Sequence, residues 1–213
     1  MINPSEIPST LLLIAIFLLV AFPVHEFAHA LVAYRLGDGT AKMFGRLTLN
    51  PVVHFDPIGG LFLVITAFLG GLIFGWAKPT PVNPSMLRDR RNGEVLVALA
   101  GPASNLIMAS IAAVVFRVLD STGVDAPVLL NTRNGILYLF VIFNVALAVF
   151  NMLPIPPLDG SNLLFRFMSP QQAWQWRPVL QQYGFLILIV IIFTLRGPLS
   201  SVISNVANVL LGV

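Results

Sequence analysis

The chain has no cysteine and few charged residues. Of its 213 residues, 10% are Asp, Glu, Lys or Arg and three are His, whereas a soluble domain carries roughly 25% charged residues. Without cysteine there are neither disulfides nor thiolate ligands, so any metal ion must be bound by histidine and carboxylate. The low charge and the 57% hydrophobic content exclude an ordinary soluble domain, and no nucleic-acid partner is expected. The composition predicts one membrane-embedded domain over residues 1–213.

Apolar runs separated by polar turns fill most of the chain. They cover residues 10–33, 58–76, 94–118, 135–153 and 183–195. Runs of this length are typical of transmembrane helices, and the alternation predicts a polytopic bundle. The tail after Pro198 is apolar with Ser and Asn interruptions, which suits either an interfacial segment or a short return helix.

A His-Glu-x-x-His pattern, His25-Glu26-Phe27-Ala28-His29, lies near the end of the first apolar run. Residues four apart share one face of a helix, so the two imidazoles can bind one metal ion. Glu26 lies one residue further along, where it acts on water beside the metal instead of binding the metal. The pattern is typical of zinc proteases, and its apolar setting places it within a bilayer.

Two histidines are one ligand short of a catalytic zinc site, which has three protein ligands and one open position. Asp159 is the first candidate for the third ligand, because a carboxylate after a long apolar run needs a cation or a partner. His54 and Asp56 are the second candidates, since they flank a proline turn that equally suits the membrane surface. The residues alone leave this choice open.

Two separated motifs resemble the site-2 protease family of intramembrane zinc metalloproteases. They are residues 25–29 and the segment Asn151-Met152-Leu153-Pro154-Ile155-Pro156-Pro157-Leu158-Asp159-Gly160. Further segments look like the compact prokaryotic branch, which lacks the PDZ and CBS insertions of larger members. They are Leu49-Asn50-Pro51, His54-Phe55-Asp56-Pro57-Ile58-Gly59, and Gly101-Pro102 with Asn105. The resemblance covers most of residues 10–165, the expected catalytic core.

The resemblance implies a role for each matching residue. His25, His29 and Asp159 would bind Zn²⁺, and Glu26 would act first as general base and then as general acid. Asn151 would stabilise the oxyanion or hold the substrate strand. The implied activity is that of a zinc-dependent endopeptidase that cleaves transmembrane segments of other membrane proteins, which is regulated intramembrane proteolysis.

A shared metal ion constrains how often the chain crosses the membrane. The His pair and Asp159 must lie toward the same surface, which requires an even number of crossings between them. The condition is met if the glycine-broken run over 58–76 enters the bilayer and returns. Nine of the twelve Lys and Arg residues then lie on one side, which the positive-inside rule makes cytoplasmic. The run is also long enough to span the bilayer. In that case six of the twelve Lys and Arg residues would lie on each side.

The predicted fold is therefore an all-α membrane protein with two irregular elements. One is the re-entrant, Gly-rich segment, and the other is a short strand or β-hairpin over residues 42–49, where apolar and polar side chains alternate. The predicted location is a prokaryotic cell membrane, with the active site toward the cytoplasm and substrates reached through the lipid bilayer. The oligomeric state is not indicated.

Two further interpretations stay open at this level. A metal-ion transporter or channel using the same His and Asp residues is the alternative function, although transport needs no base at Glu26 and no internal repeat supports it. His54 is an interfacial turn residue, a hydrogen-bond donor at the substrate site, or a fourth ligand that closes the zinc site at rest. Gly101, Pro102 and Asn105 fit helix packing and a kink better than chemistry.

Overall fold

The structure is a computed structural model that describes residues 7–69, 75–123, 126–131 and 135–213. Within these ranges all regular secondary structure is helical, and the chain divides into two compact units, residues 1–88 and 89–213. Three helices are long and apolar enough to cross a bilayer, namely Ile14–Arg35, Arg90–Ser121 and Pro170–Thr194. The predicted all-helical, multi-pass architecture is confirmed at this level, and the single-domain organisation stays a prediction.

The first unit is built around the helix that carries the His-Glu-x-x-His pattern. Its described helices are α1 (Ile7–Ile16), a π-helical turn (Phe17–Ala21), α2 (Phe22–Arg35), α3 (Thr40–Met43), α4 (Pro51–His54), α5 (Pro57–Leu69) and a 3₁₀ turn (Pro84–Met86). Pro23 lies in the first turn of α2. Since its ring nitrogen has no hydrogen to donate to the preceding turn, the π-helical turn just before it accommodates the missing bond.

Polar residues before prolines start the two helices that follow. The Asn50 side chain accepts a hydrogen bond from the Val52 amide at 3.1 Å and caps α4. The Asp56 carboxylate accepts from the amides of Ile58 and Gly59 at 2.9 and 2.8 Å and caps α5. Both are ordinary N-caps followed by proline in the first helical turn. Asp56, a second-choice metal ligand from the sequence, is thus engaged at a helix start.

The predicted strand or hairpin over residues 42–49 is wrong, because this stretch begins within the helical turn α3 and has no partner strand in the described residues. Gly45 adopts a left-handed φ of 67°. Its amide bonds the Lys42 carbonyl at 3.0 Å, and the Arg46 amide bonds the Ala41 carbonyl at 2.8 Å. This is the Schellman-type ending that glycine favours after a helix. Local capping at Gly45 therefore outweighed the alternating pattern.

The predicted re-entrant segment, 58–76, lies partly outside the described residues, at 70–74. Its helix α5 has 13 residues and is about 20 Å long, shorter than the roughly 30 Å hydrocarbon core. From Gly75 the chain lies against α5, since a Cβ on Gly59 would lie 2.1 Å from the Trp76 carbonyl oxygen. The Lys78 amide then bonds the His54 carbonyl at 2.8 Å. The described residues on the two sides of 70–74 therefore lie against each other, and the re-entrant course stays a prediction.

The second unit begins with a long helix and packs the remaining helices against it. Its described helices are α6 (Arg90–Ser121), α7 (Pro127–Leu130), α8 (Ile136–Asn151), α9 (Gly160–Phe167), α10 (Pro170–Thr194) and α11 (Arg196–Leu211). Asp89 caps α6 by accepting from the Asn92 amide at 3.1 Å. Hydrogen bonds from the backbone and then the side chain of Asn92 hold the pKa of Asp89 below its ordinary value. Ser169 and Gln172 form a reciprocal capping box at the start of α10.

A buried amide pair joins α6 to α8. The Asn105 side chain donates to the Asn144 side-chain oxygen at 3.0 Å, and both residues are fully buried. Asn144 in turn donates to the Phe140 carbonyl at 2.9 Å. Amide side chains joined across an apolar helix interface satisfy each other's hydrogen bonds where no water is present. Asn105 therefore serves helix packing, as its sequence context predicted.

The tail after Pro198 is a core helix, α11. Ala207 and Leu211 are buried against Phe116 of α6 and the apolar face of α8. The start of α10 lies at the start of α6, where Arg177 pairs with Glu94 at 3.6 Å. The end of α11 lies at the other end of α6, where Arg117 donates to the Val209 carbonyl.

Candidate metal centre

His25 and His29 present their ring nitrogens to one point on α2. They lie one helical turn apart, are only 6% and 7% exposed, and their Nε2 atoms are 3.0 Å apart. Two nitrogens bound to one tetrahedral zinc at 2.0–2.1 Å would be about 3.3–3.4 Å apart. A few tenths of an ångström of side-chain movement would bring the pair to that spacing, so it fits a shared zinc ion.

The carboxylate of Glu26, the residue next to His25, is held by a segment remote in sequence. Glu26 is half-buried, and its Oε2 accepts a hydrogen bond from the Thr80 amide at 2.7 Å. The Thr80 hydroxyl donates to the Glu26 main-chain carbonyl at 3.0 Å. Oε1 accepts no hydrogen bond from any described residue. One carboxylate oxygen is thus fixed, and the other is available for proton transfer.

Thr80 belongs to a segment without regular secondary structure, residues 77–83, which we call the strap. Its first part is held by the Lys78 amide, which bonds the His54 carbonyl at 2.8 Å. Its end is held by the Asn83 amide, which bonds Oδ2 of Asp38 at 2.7 Å. Asp38 is fully buried, and its other oxygen accepts from the Thr40 amide at 2.9 Å. The strap is therefore anchored on both sides of Thr80.

Neither Thr80 nor Asp38 was identified from the sequence as a functional residue. The available signals were the Pro79-Thr80-Pro81 run, which predicts extended backbone, and Asp38-Gly39-Thr40, which predicts a turn closed by the Asp side chain. Both patterns are common in loops. Neither indicates that Thr80 contacts Glu26 or that Asp38 contacts Asn83.

His54 is placed as a buried residue at the end of α4. It is 1% exposed, and its Nε2 lies 2.8 Å from the Thr48 carbonyl oxygen. Its own carbonyl accepts the Lys78 amide, while its Nδ1 has no hydrogen-bond partner among the described residues. These contacts join His54 to the turn before α4 and connect the end of α4 to the strap. A role for His54 in the active site stays a prediction.

Asp159 and Asn151 belong to the second unit. Asp159 is half-buried, immediately precedes α9 and makes no side-chain capping bond to that helix. The chain from Met152 to Gly160 forms a tight turn, because a Cβ on Gly160 would lie 2.3 Å from the Met152 carbonyl oxygen. Asn151 ends α8 and donates one amide hydrogen to the Leu147 carbonyl at 3.1 Å. This turn sets the position of Asp159 relative to the end of α8.

The first unit thus contains His25, His29 and Glu26, and the second contains Asp159 and Asn151. The predicted ligands offer two imidazole nitrogens and one carboxylate oxygen. Such a His₂-carboxylate set is one of the donor combinations of catalytic zinc, which leaves a fourth position for water or substrate. The chemistry of the donor set fits zinc.

Known proteins are similar to this chain over nearly its whole length. The model of Peptidase family M50 matches residues 12–134 and 124–195. YwhC of Bacillus subtilis is 37% identical over 185 residues, which cover 86% of this chain and 81% of the relative. Rip2 of Mycolicibacterium smegmatis is 33% identical over 195 residues, which cover 91% of this chain and 71% of the relative. Both relatives have zinc metalloprotease in their names. No solved structure matches the chain.

Proposed function

Because the chain belongs to peptidase family M50, the site-2 protease family, it is a zinc metalloendopeptidase, and we propose that it cleaves transmembrane segments of other membrane proteins. The three helices long enough to span agree with a multi-pass membrane protein. The observation that carries the proposal is the buried pair of imidazole nitrogens, 3.0 Å apart, on the helix whose Glu26 carboxylate is held at one oxygen. An endopeptidase buried in a bilayer meets its polypeptide substrates there.

We propose that His25, His29 and Asp159 hold the zinc ion. The donor types support this assignment, and so does the spacing of the two histidines on α2. When bound, zinc supplies Lewis acidity, which polarises a peptide carbonyl and makes a water molecule more acidic. Both effects are needed because a peptide bond resists attack by neutral water.

Glu26 supplies proton transfer in this mechanism. With Oε2 held by the Thr80 amide, Oε1 takes a proton from the attacking water. The water oxygen bonds to the carbonyl carbon, and the C–N bond then breaks as Glu26 returns the proton to the leaving nitrogen. Asn151 keeps one side-chain N–H beyond its bond to Leu147, which we assign to the developing oxyanion or the substrate strand.

We further propose that the site faces the cytoplasm. The Arg88 amide bonds the Leu36 carbonyl at 3.0 Å, so residues 37–87 leave and return at one place, the end of α2. This closed excursion supports a re-entrant rather than a spanning segment over 58–76. Nine basic residues then lie on one side: Arg35, Lys42, Arg46, Lys78, Arg88, Arg90, Arg91, Arg166 and Arg177. The positive-inside rule makes that side cytoplasmic.

Single-cysteine labelling tests this orientation in a chain that has no cysteine of its own. Ser85 and Ser121 are both exposed, and the proposal puts them on opposite sides of the membrane. We expect a membrane-impermeant maleimide to label Ser85→Cys only from the cytoplasmic side and Ser121→Cys only from the outer side. Labelling of Ser85→Cys from the outer side alone would contradict the proposal.

Cleavage by the purified protein tests the function itself. In detergent, the protein should cut a single-span substrate within its apolar segment, as located by mass spectrometry of the fragments. Chelation should stop the reaction, and added zinc should restore it. The transporter alternative, which family membership does not favour, predicts zinc flux into sealed proteoliposomes. Flux without cleavage would overturn the protease assignment.

A further inference from the structure

We propose that Thr80 is a positioning residue for Glu26, and that the strap exists to deliver its backbone N–H to the Glu26 carboxylate. The inference rests on the proposed function, because it concerns the same proton-transfer step. Its basis is two hydrogen bonds between the same two residues, one to the Glu26 side chain at 2.7 Å and one to its main-chain carbonyl at 3.0 Å.

The sequence around Thr80 leaves one donor at this point of the strap. Pro79 and Pro81 have no N–H, so Thr80 has the only main-chain N–H donor between Lys78 and Val82. Each proline also holds the residue before it in extended backbone, which here restricts Lys78 and Thr80. The donor therefore has little conformational freedom, and its bond to Oε2 has a low entropic cost.

The anchors of the strap determine where this donor lies. Two residues before Thr80, the Lys78 amide is bonded to the His54 carbonyl. Three residues after Thr80, the Asn83 amide is bonded to Asp38. The Thr80 hydroxyl bonds the α2 backbone at Glu26 itself, which sets the register of the strap along that helix. A carboxylate held in this way has one oxygen committed before substrate arrives. Such preorganisation affects the rate of the chemical step more than it affects the affinity for substrate.

Three substitutions at Thr80 separate its two hydrogen bonds. Thr80→Ser keeps both and should cleave like the wild type. Thr80→Val keeps the N–H but loses the hydroxyl bond, and its kcat should fall by about 3–10-fold, the effect of one hydrogen bond. Thr80→Pro loses both, and its kcat should fall by about 100-fold, as expected for a displaced catalytic group. In all three, KM and zinc content should stay near wild type.

The matched control is Thr194→Val, which removes a hydroxyl-to-carbonyl bond of 2.7 Å at the end of α10. It should leave kcat unchanged, and the melting temperature of each variant should show that it is folded. If Thr80→Val and Thr80→Pro cleave within about twofold of wild type, the inference is wrong. It is equally wrong if they cleave faster, which would make the strap a plug, or if their loss lies wholly in KM or zinc content. If Thr80→Pro does not fold, the Val and Ser pair decides.

These outcomes are distinct from a failure of the proposed function. A wild-type protein that does not cleave would remove the protease assignment. Cleavage by the wild type that is lost in Glu26→Gln but kept in the Thr80 variants would remove only the role of Thr80.

Discussion

Replacement of Glu26 by glutamine is expected to abolish cleavage while the protein keeps its zinc. Glutamine has nearly the same shape, and its side-chain oxygen can still accept the Thr80 amide that now bonds Oε2 at 2.7 Å. It cannot take a proton from water or return one to the leaving nitrogen. General acid–base catalysis contributes about 10²–10⁴-fold to such reactions, so kcat should fall by at least about 10²-fold. Fragment release from a transmembrane substrate and zinc content per chain are the two measurements.

The matched control is the same substitution at Glu94. That carboxylate pairs with Arg90 of α6 at 3.4 Å and with Arg177 of α10 at 3.6 Å. Its neutralisation should lower the melting temperature slightly and leave kcat near wild type, because both arginine side chains are solvent-accessible and ion pairs with exposed partners contribute little to stability. If Glu26→Gln cleaves as fast as Glu94→Gln, Glu26 is not the general base.

Replacement of His29 by alanine is expected to remove both zinc and activity. With one imidazole gone, the proposed site keeps only His25 and Asp159, and two ligands hold zinc far more weakly than three. The same result is expected for His25→Ala and Asp159→Ala. Metal analysis of the purified proteins should show about one zinc per wild-type chain and most of it lost from each variant. Zinc retained by Asp159→Ala would remove that residue from the ligand set.

Two controls accompany this series. His54→Ala replaces the third histidine, whose Nε2 already lies 2.8 Å from the Thr48 carbonyl oxygen. It should keep its zinc and lose thermal stability, because a buried turn is disrupted. Asp120→Ala removes an exposed carboxylate near the end of α6 and should change neither property. Zinc lost from His54→Ala would make His54 a fourth ligand, and zinc kept without cleavage would place it at the substrate.

The metal-binding pattern could be recognised from sequence because its geometry is local. His25 and His29 are four residues apart, and one turn of helix is enough to bring their nitrogens within 3.0 Å. Asp159 was predicted less directly, from the cost of a carboxylate after an apolar run and from the resemblance of its motif. Residue type and helical spacing carried both predictions.

The strand over 42–49 was predicted wrongly for a related reason. An alternating pattern favours a strand only if a neighbouring strand pairs with it, and that pairing is not local. Gly45 instead adopts a left-handed conformation that ends α3, with hydrogen bonds formed within five residues. A short-range cap outweighed a pattern that had no partner.

By itself the sequence determined the membrane class, the helical architecture and the candidate metal ligands. Hydropathy, residue type and the 3.6-residue helical period act within a few positions, so they can be read along the chain. The tertiary structure alone decided how Glu26 is held and where the strap is anchored. The reason is that Thr80 lies 54 positions from Glu26, and Asn83 lies 45 positions from Asp38. A local sequence pattern cannot predict which residues form a hydrogen bond between segments so far apart.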